Sequence, residues 1–253
     1  MGKHIETLFK DHVFTITLNR PPLNILNVEM MDELSGVLFQ ADSEETKLIV
    51  LTATGKAFCA GVDVSEHRGD LAKKMIASFH RIFRVMEEIR SPILAAVNGI
   101  ALGGGCELAI ACDMIVASER AKFGQPEIKV GVLPPIAAIM IHGIISLKRG
   151  YEFLLSGDPL SAEEAWHAGF INKVVKADLF EEELQNFVKR FSSLSLPVLR
   201  LTKKSIKASQ RRSFSDALSE VEMIYLQELM KTEDAEEGLR AFLEKRDPRW
   251  KNR

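Results

Sequence analysis

The sequence of 253 residues has little cysteine, tryptophan or tyrosine, with three, two and two of each. Cys59, Cys106 and Cys112 are odd in number and lie in apolar or glycine-rich stretches, so they do not have the spacing of a disulfide framework. A protein of this kind fits a reducing compartment. We therefore expect a cytoplasmic location.

The sequence also lacks an excess of charge of either sign. Lysine and arginine total 33 and aspartate and glutamate total 35, for a net charge of -2 and a pI near 6.3. No global basic field would attract nucleic acid or an anionic membrane surface. The apolar stretches 92–117 and 128–147 contain glycines, prolines and charged residues, which indicates buried core. We expect neither a nucleic acid nor a membrane as partner, and the opening MGKHIETLFK, which contains Glu6 and no apolar run, predicts no targeting peptide.

Strand and helix patterns alternate through the first part of the chain. The segment 12–20 has apolar residues with a period of two, 48–53 is continuously apolar, and 71–88 has helical spacing. From about residue 178 onward only helical patterns remain. The sequence predicts an α/β domain over residues 1–192 and a helical region over residues 193–253.

Three consecutive glycines open the stretch ALGGGCELAIACD. If a helix begins near Gly104, its first N–H groups lack intrahelical partners and suit an oxygen that acquires negative charge. Glu107 lies one turn further, among apolar residues that would raise its pKa toward neutrality. Two interpretations remain: Glu107 transfers protons, or it is an ordinary acidic residue in the first turn of its helix.

Two further stretches have the same ambiguity. In FGQPE, Glu127 is either an acid at the rim of a pocket or an N-terminal charge on the next element. In GKAFCAGVD, Ala60 and Gly61 permit a ligand to approach the N–H group of Val62, although a simple strand-to-helix turn has the same composition.

In this order, AFCAGVD, GGGCELAIACD and FGQPE together resemble the crotonase superfamily, and the similarity extends from NRPPLNILN to TEDAEEGLRAFLEKRDP. The resemblance implies a spiral of ββα units, a C-terminal helical region for trimerisation, and a trimer or a dimer of trimers. It implies a hydratase acting on an acyl-CoA, with no metal and no cofactor apart from the CoA of the substrate. The implied oxyanion hole is formed by the N–H groups of Val62 and Gly104, and the implied acid/base pair is Glu107 and Glu127. The expected contacts to CoA or substrate are Ala60, Gly61, Asp63, Phe242 and Lys245, the last of which could equally be solvated on a terminal helix.

The segment Leu133 to Met140 departs from the common hydratase pattern, because bulky apolar residues stand where glycines are usual. Pro135, Ile136 and Ile139 are expected to line the acyl pocket. Together with RPPLNILN, this segment resembles the cyclic dienoyl-CoA hydratases, which act on cyclohexa-1,5-diene-1-carbonyl-CoA. A cyclic dienoyl-CoA is therefore the expected substrate, with a straight-chain enoyl-CoA hydratase or an isomerase as alternatives.

A function of another class, RNA binding, is suggested by basic residues that are expected on one helix, namely Lys203, Lys204, Lys207, Arg211 and Arg212. The pI and the lack of an RNA-binding motif count against it. A catalytically inactive scaffold is disfavoured because both glutamates and the glycine run are present.

Overall fold

A computed structural model of the chain describes residues 3–210 and 212–253. Its large sheet has the strand order β1-β2-β3-β5-β7-β10. These strands are β1 (Ile5–Lys10), β2 (Val13–Leu18), β3 (Leu48–Ala53), β5 (Ile93–Val97), β7 (Met114–Ser118) and β10 (Lys173–Val175). β1 and β2 form an antiparallel hairpin, and the remaining neighbours are parallel. The apolar runs predicted to be strands are therefore the centre of this sheet.

A second, smaller sheet has the order β4-β6-β8-β9. Its strands are only two or three residues long: β4 (Ala57–Cys59), β6 (Ile100–Leu102), β8 (Lys122–Gly124) and β9 (Leu160–Ser161). β4, β6 and β8 each follow a strand of the large sheet across a short turn, and a helical element comes next. This repeat confirms the predicted α/β spiral of ββα units.

Ten α-helices occur within the described residues. They are α1 (Val28–Ala41), α2 (Gly69–Glu88), α3 (Gly104–Ile110), α4 (Pro135–Met140), α5 (Leu147–Ser156), α6 (Ala162–His167), α7 (Phe180–Ser192), α8 (Leu196–Ser209), α9 (Phe214–Met223) and α10 (Glu233–Leu243). None of the helices in the described part of the chain is long and apolar enough to cross a membrane.

The large sheet is covered on both faces. On one face α1 and α2 bury apolar residues at helical spacing, among them Leu34 and Leu38 of α1 and Phe79 and Ile82 of α2. On the other face α7 packs against a separate apolar cluster. Strands buried on both faces read as continuous apolar runs rather than as alternating ones, which is why 48–53 has no polar face.

The C-terminal region is attached through polar contacts at the edge of the sheet where the parallel strands begin. Arg200 of α8 is buried and donates to the Ser91 hydroxyl at 3.2 Å. Lys203, also buried, donates to the Asp113 carboxylate at 2.6 Å. Ser91 lies two residues before β5, and Asp113 directly precedes β7. The break between α7 and α8 covers residues 193–195, where the sequence predicts the domain boundary.

These contacts use the basic residues that suggested RNA binding. Lys203 pairs with Asp113, Lys204 with a glutamate of the same region, and Lys207 with a glutamate of α2. The expectation that Arg212 lies on the same helix is wrong, because α8 ends at Ser209. Arg211 lies outside the described residues. Of these side chains, Lys203 joins the C-terminal region to the large sheet, Lys207 joins it to α2, and Lys204 is paired within the region itself.

The last residues of the chain fold back along α10. The Asp234 carboxylate accepts the backbone N–H groups of Lys251 at 2.7 Å and Asn252 at 3.0 Å. Glu237 accepts from the Arg246 guanidinium, which holds the pKa of this carboxyl well below its usual range. The indole ring of Trp250 lies against Gly238. The two buried acids thus fix the tail to the helix.

Candidate active site

The candidate site lies at the opposite edge of the large sheet, where its parallel strands end. Gly103 has φ +52°, which a side chain disfavours, and α3 begins at the next residue. A Cβ atom at Gly105 would lie 2.2 Å from the carbonyl oxygen of Cys59. Only glycine lets the first turn of α3 approach the last residue of β4 this closely.

Glu107 is buried in α3, with 2% of its surface exposed. Its Oε1 atom accepts the N–H groups of Ile136 at 2.7 Å and Ala137 at 2.9 Å, which belong to the first turn of α4. Burial raises the pKa of Glu107 to about 7, against the opposing effect of the two N–H donors. Glu107 therefore bonds to the start of a neighbouring helix rather than to its own, and its proton is exchangeable near neutrality.

Glu127 lies beside Gly103, the residue that precedes α3. It lies in a 3-10 helix over Pro126–Val130, and its Oε1 atom is 2.7 Å from the position that a Cβ atom would take at Gly103. Burial raises the pKa of Glu127. The negative charge of Glu127 raises the pKa of Glu107 further, in addition to the effect of burial. The structure thus brings both predicted acids to the beginning of α3, near enough to repel each other.

Sequence reasoning missed the neighbour of Glu127. The Gln125 side chain is fully buried and, with its nitrogen turned toward Glu127, donates to the two carboxylate oxygens at 3.1 and 3.2 Å. FGQPE shows only that a glutamine stands two residues before the acid; the burial of Gln125, which requires a polar partner, is visible only in the structure. Gln125 holds the Glu127 carboxylate from the side of β8.

The N–H group of Val62 points away from the strand-like segment beside it. Leu26 forms a parallel bridge with Val62, in which its N–H and C=O groups bond to Gly61 and Asp63 at 2.9 and 2.8 Å. In such a bridge the central residue directs its own N–H to the opposite side. Neither the N–H of Val62 nor that of Gly104 has a hydrogen-bond acceptor within residues 3–210 and 212–253.

Gly104 and Val62 are packed against each other. A Cβ atom at Gly104 would be 2.7 Å from a methyl carbon of Val62 and 3.0 Å from the ring of Phe79. Gly104 is therefore packed tightly between these two side chains, with no room for one of its own. Two neighbouring donors without acceptors, next to two carboxyl groups, have the composition of an oxyanion hole with acid/base partners.

The other predicted contact residues fall into two groups. Ala60 and Gly61 lie in the loop after β4, and Asp63 caps the following 3-10 helix, with its carboxylate accepting from the N–H of Ser65 at 3.0 Å. The predicted pocket residues belong to α4, where Pro135 and Ile136 are half-buried and Ile139 is 52% exposed. Their contacts to a ligand remain predictions.

Within one chain, Phe242 and Lys245 lie away from Glu107 and Glu127. α10 packs against α8, which is attached at the far edge of the sheet. Phe242 is 82% exposed, and Lys245 follows the helix with φ +54°. Among the residues that the structure describes, no group of three histidine, cysteine or acidic side chains is arranged to hold a metal ion.

Comparison with known proteins gives consistent matches over the full length. A family model described as enoyl-CoA hydratase/isomerase matches residues 9–253. A probable enoyl-CoA hydratase of Rhizobium meliloti is 38% identical, over 98% of this chain and 99% of that protein. A cyclohexa-1,5-dienecarbonyl-CoA hydratase of Thauera aromatica is 34% identical, over 94% and 92%. The crystal structure of an enoyl-CoA hydratase from Bacillus anthracis superposes with a TM-score of 0.94 at 31% identity, covering 99% of this chain and 100% of that one.

Proposed function

Because this chain belongs to the enoyl-CoA hydratase/isomerase family, we propose that it catalyses the reversible addition of water to an α,β-unsaturated acyl-CoA. The observation that supports this proposal is the meeting of Glu107 and Glu127 beside the free N–H groups of Val62 and Gly104. The family and the type of enzyme were both predicted from the motifs, and both predictions are confirmed.

In this proposal the two N–H groups hold the thioester oxygen. Water adds to the β-carbon, and the electron pair of the double bond moves toward that oxygen, where the donors stabilise the enolate. One carboxylate takes a proton from the water, and a carboxylic acid gives a proton to the α-carbon. A pKa of about 7 leaves Glu107 populated in both protonation states at neutral pH. The scheme uses only the residues of this chain and the CoA ester.

For the acyl group, we propose a cyclic dienoyl-CoA. Its support is the start of α4, the helix whose N–H groups bond to Glu107. Pro135 and Ile136 stand there in place of the glycines that are usual in common hydratases. The relative from Thauera aromatica is named for such a substrate, whereas the more similar Rhizobium relative is named only as a probable enoyl-CoA hydratase. A straight-chain enoyl-CoA or an isomerisation is the alternative.

The acid/base assignment is tested with Glu127→Gln, which keeps the shape of the side chain. We expect kcat to fall by roughly 100- to 10,000-fold, the range for loss of a general acid or base, with little change in affinity for a saturated acyl-CoA. Glu45→Gln, which alters an exposed glutamate, is the matched control. Near-wild-type turnover by Glu127→Gln would show that Glu127 has another role.

The acyl group is tested with a panel of straight-chain enoyl-CoA, cyclic monoenoyl-CoA and cyclic dienoyl-CoA esters. Loss of the enoyl absorbance gives kcat/KM for each ester. We expect the highest value for the cyclic diene. An equal or higher value for the straight-chain ester would discard the preference for a ring, and migration of the double bond without addition of water would favour the isomerase.

We also propose a trimer or a dimer of trimers, in which the C-terminal region makes the contacts. Large apolar side chains are exposed there, including Phe214 at 83%, Phe242 at 82% and Leu243 at 80%. Exposed apolar patches of this kind mark association surfaces. Light scattering on the purified chain should give three or six times the mass of 28.3 kDa, and a monomer at micromolar concentration would contradict the proposal.

A further inference from the structure

The stretch RPPLNILN lies beside the loop that contributes Val62. We call residues 60–63 the oxyanion loop. The N–H of Ala60 donates to the carbonyl of Leu23 at 3.0 Å, and Leu26 bonds on both sides of Val62. These backbone bonds occupy the groups of the oxyanion loop that face the stretch. The direction of the Val62 N–H therefore depends on where residues 23–26 are held.

Asn24 holds this stretch at a second point. Its side chain is fully buried, and Oδ1 accepts the N–H of Arg20 at 2.8 Å. Nδ2 donates to the carbonyl oxygens of Thr54 at 3.0 Å and Ala57 at 2.8 Å. Thr54 follows β3, and Ala57 begins β4, the strand that leads into the oxyanion loop. One side chain thus connects the stretch, the end of the large sheet and the start of the small sheet.

Few residue types could take this position. Asn24 has φ +52°, a left-handed conformation that asparagine tolerates better than most residues with a side chain. Its amide supplies two donors and one acceptor within a short reach, and all three are used. Aspartate would keep the acceptor but place a carboxylate against two carbonyl oxygens. A buried group left unpaired in this way forces the local structure to move.

We propose that Asn24 is a positioning residue for the reaction: through residues 23–26 and the start of β4, it sets the direction of the Val62 N–H group. This inference rests on the proposed function, since it assigns Asn24 to the oxyanion hole of that mechanism. It gives the stretch RPPLNILN a role in polarising the thioester, in addition to its place in the fold.

The test compares Asn24→Asp with Asn98→Asp. Asn98 is a matched control, because its Nδ2 also donates to two carbonyl oxygens, that of Ala53 at the end of β3 at 3.2 Å and that of Gly55 in the β3–β4 turn at 2.8 Å. It makes no bond to residues 23–26 or to the oxyanion loop. The readouts are kcat and KM, and the absorption of a bound cinnamoyl-CoA, which shifts to longer wavelength when donors polarise its carbonyl group.

For Asn24→Asp we expect kcat to fall roughly 10- to 100-fold, as for a misplaced oxyanion donor, with KM changed less than about threefold. The red shift of the bound ligand should shrink in parallel. Asn98→Asp should keep both the kcat and the red shift of the wild type. A full red shift and a wild-type kcat in Asn24→Asp would overturn the inference, as would equal losses in the two variants.

A second variant tests the inference if Asn24→Asp folds poorly. A second measurement tests it even if the proposed function is wrong. Asn24→Gly removes the same side-chain bonds but suits the positive φ. Hydrogen exchange of the Ala60 and Asp63 amides reports the loop directly, without turnover. Faster exchange in Asn24→Gly than in Asn98→Asp is expected. Unchanged exchange would refute the positioning role, whereas wild-type protein without any hydration would refute only the proposed function.

Discussion

The substitution Glu107→Gln should make the stability of the protein less sensitive to pH. Burial raises the pKa of Glu107 from 4.5 to about 7. The folded state therefore binds this proton more tightly than the unfolded state, so the free energy of unfolding falls as the pH rises from 4.5 through 7. Glutamine keeps the oxygen that accepts from Ile136 and Ala137 but has no such proton to lose.

The expected size follows from about 1.4 kcal/mol for each pH unit between the two pKa values. Between pH 5 and pH 8, the wild type should lose about 2 to 3 kcal/mol more than Glu107→Gln. Any effect of the substitution that does not depend on pH cancels, because only the change between the two pH values is compared.

The assay is urea denaturation of both proteins at the two pH values and one protein concentration, followed by circular dichroism. Glu45→Gln, at an exposed position, should follow the wild type. A difference between wild type and Glu107→Gln that is the same at pH 5 and pH 8 would show that the folded protein does not hold Glu107 in a desolvated site. The reasoning on its proton would then fail.

Two further predictions concern packing and the attachment of α8. Gly104→Ala should lower the stability by about 1 to 3 kcal/mol through overpacking and reduce kcat. Its control is Gly36→Ala in α1, where no atom lies within 4 Å of the new Cβ and the stability should rise by about 0.5 to 1 kcal/mol. Equal shifts in the thermal unfolding of the two variants would contradict this prediction. Asp113→Asn, which leaves the buried Lys203 ammonium without its carboxylate, should cost roughly 1 to 3 kcal/mol in urea denaturation. Asp158→Asn, in an exposed ion pair, should cost less than about 1 kcal/mol, and equal costs would refute the importance of burial.

The sequence predicted the parts of the fold that repeat over several turns or strands. The runs at 48–53 and 71–88 are long enough for their periodicity to show, and the structure has β3 and α2 there. The small sheet was not predicted strand by strand, because its strands have only two or three residues. Strands this short are set by pairing between distant segments, as in Ala101 with Phe123, and leave no periodic pattern.

The candidate site was predicted as far as local spacing reaches. The helix start at Gly104, with Glu107 one turn on, is a local feature and is confirmed in position. The bonds from Glu107 to α4 and from Asn24 to Thr54 join residues about 30 positions apart. Such partners depend on how the spiral closes, which one sequence does not show. Hence composition and spacing located the acids but not the groups that orient them.

The most direct test of the central claim is the reaction of a saturating enoyl-CoA with the wild-type protein in deuterium oxide, followed by mass spectrometry and NMR of the product. The account predicts one hydroxyl group at the β-carbon and one deuterium at the α-carbon in each product molecule, with both lost together in Glu107→Gln and Glu127→Gln. Recovery of unchanged ester without deuterium, across straight-chain and cyclic substrates, would contradict it.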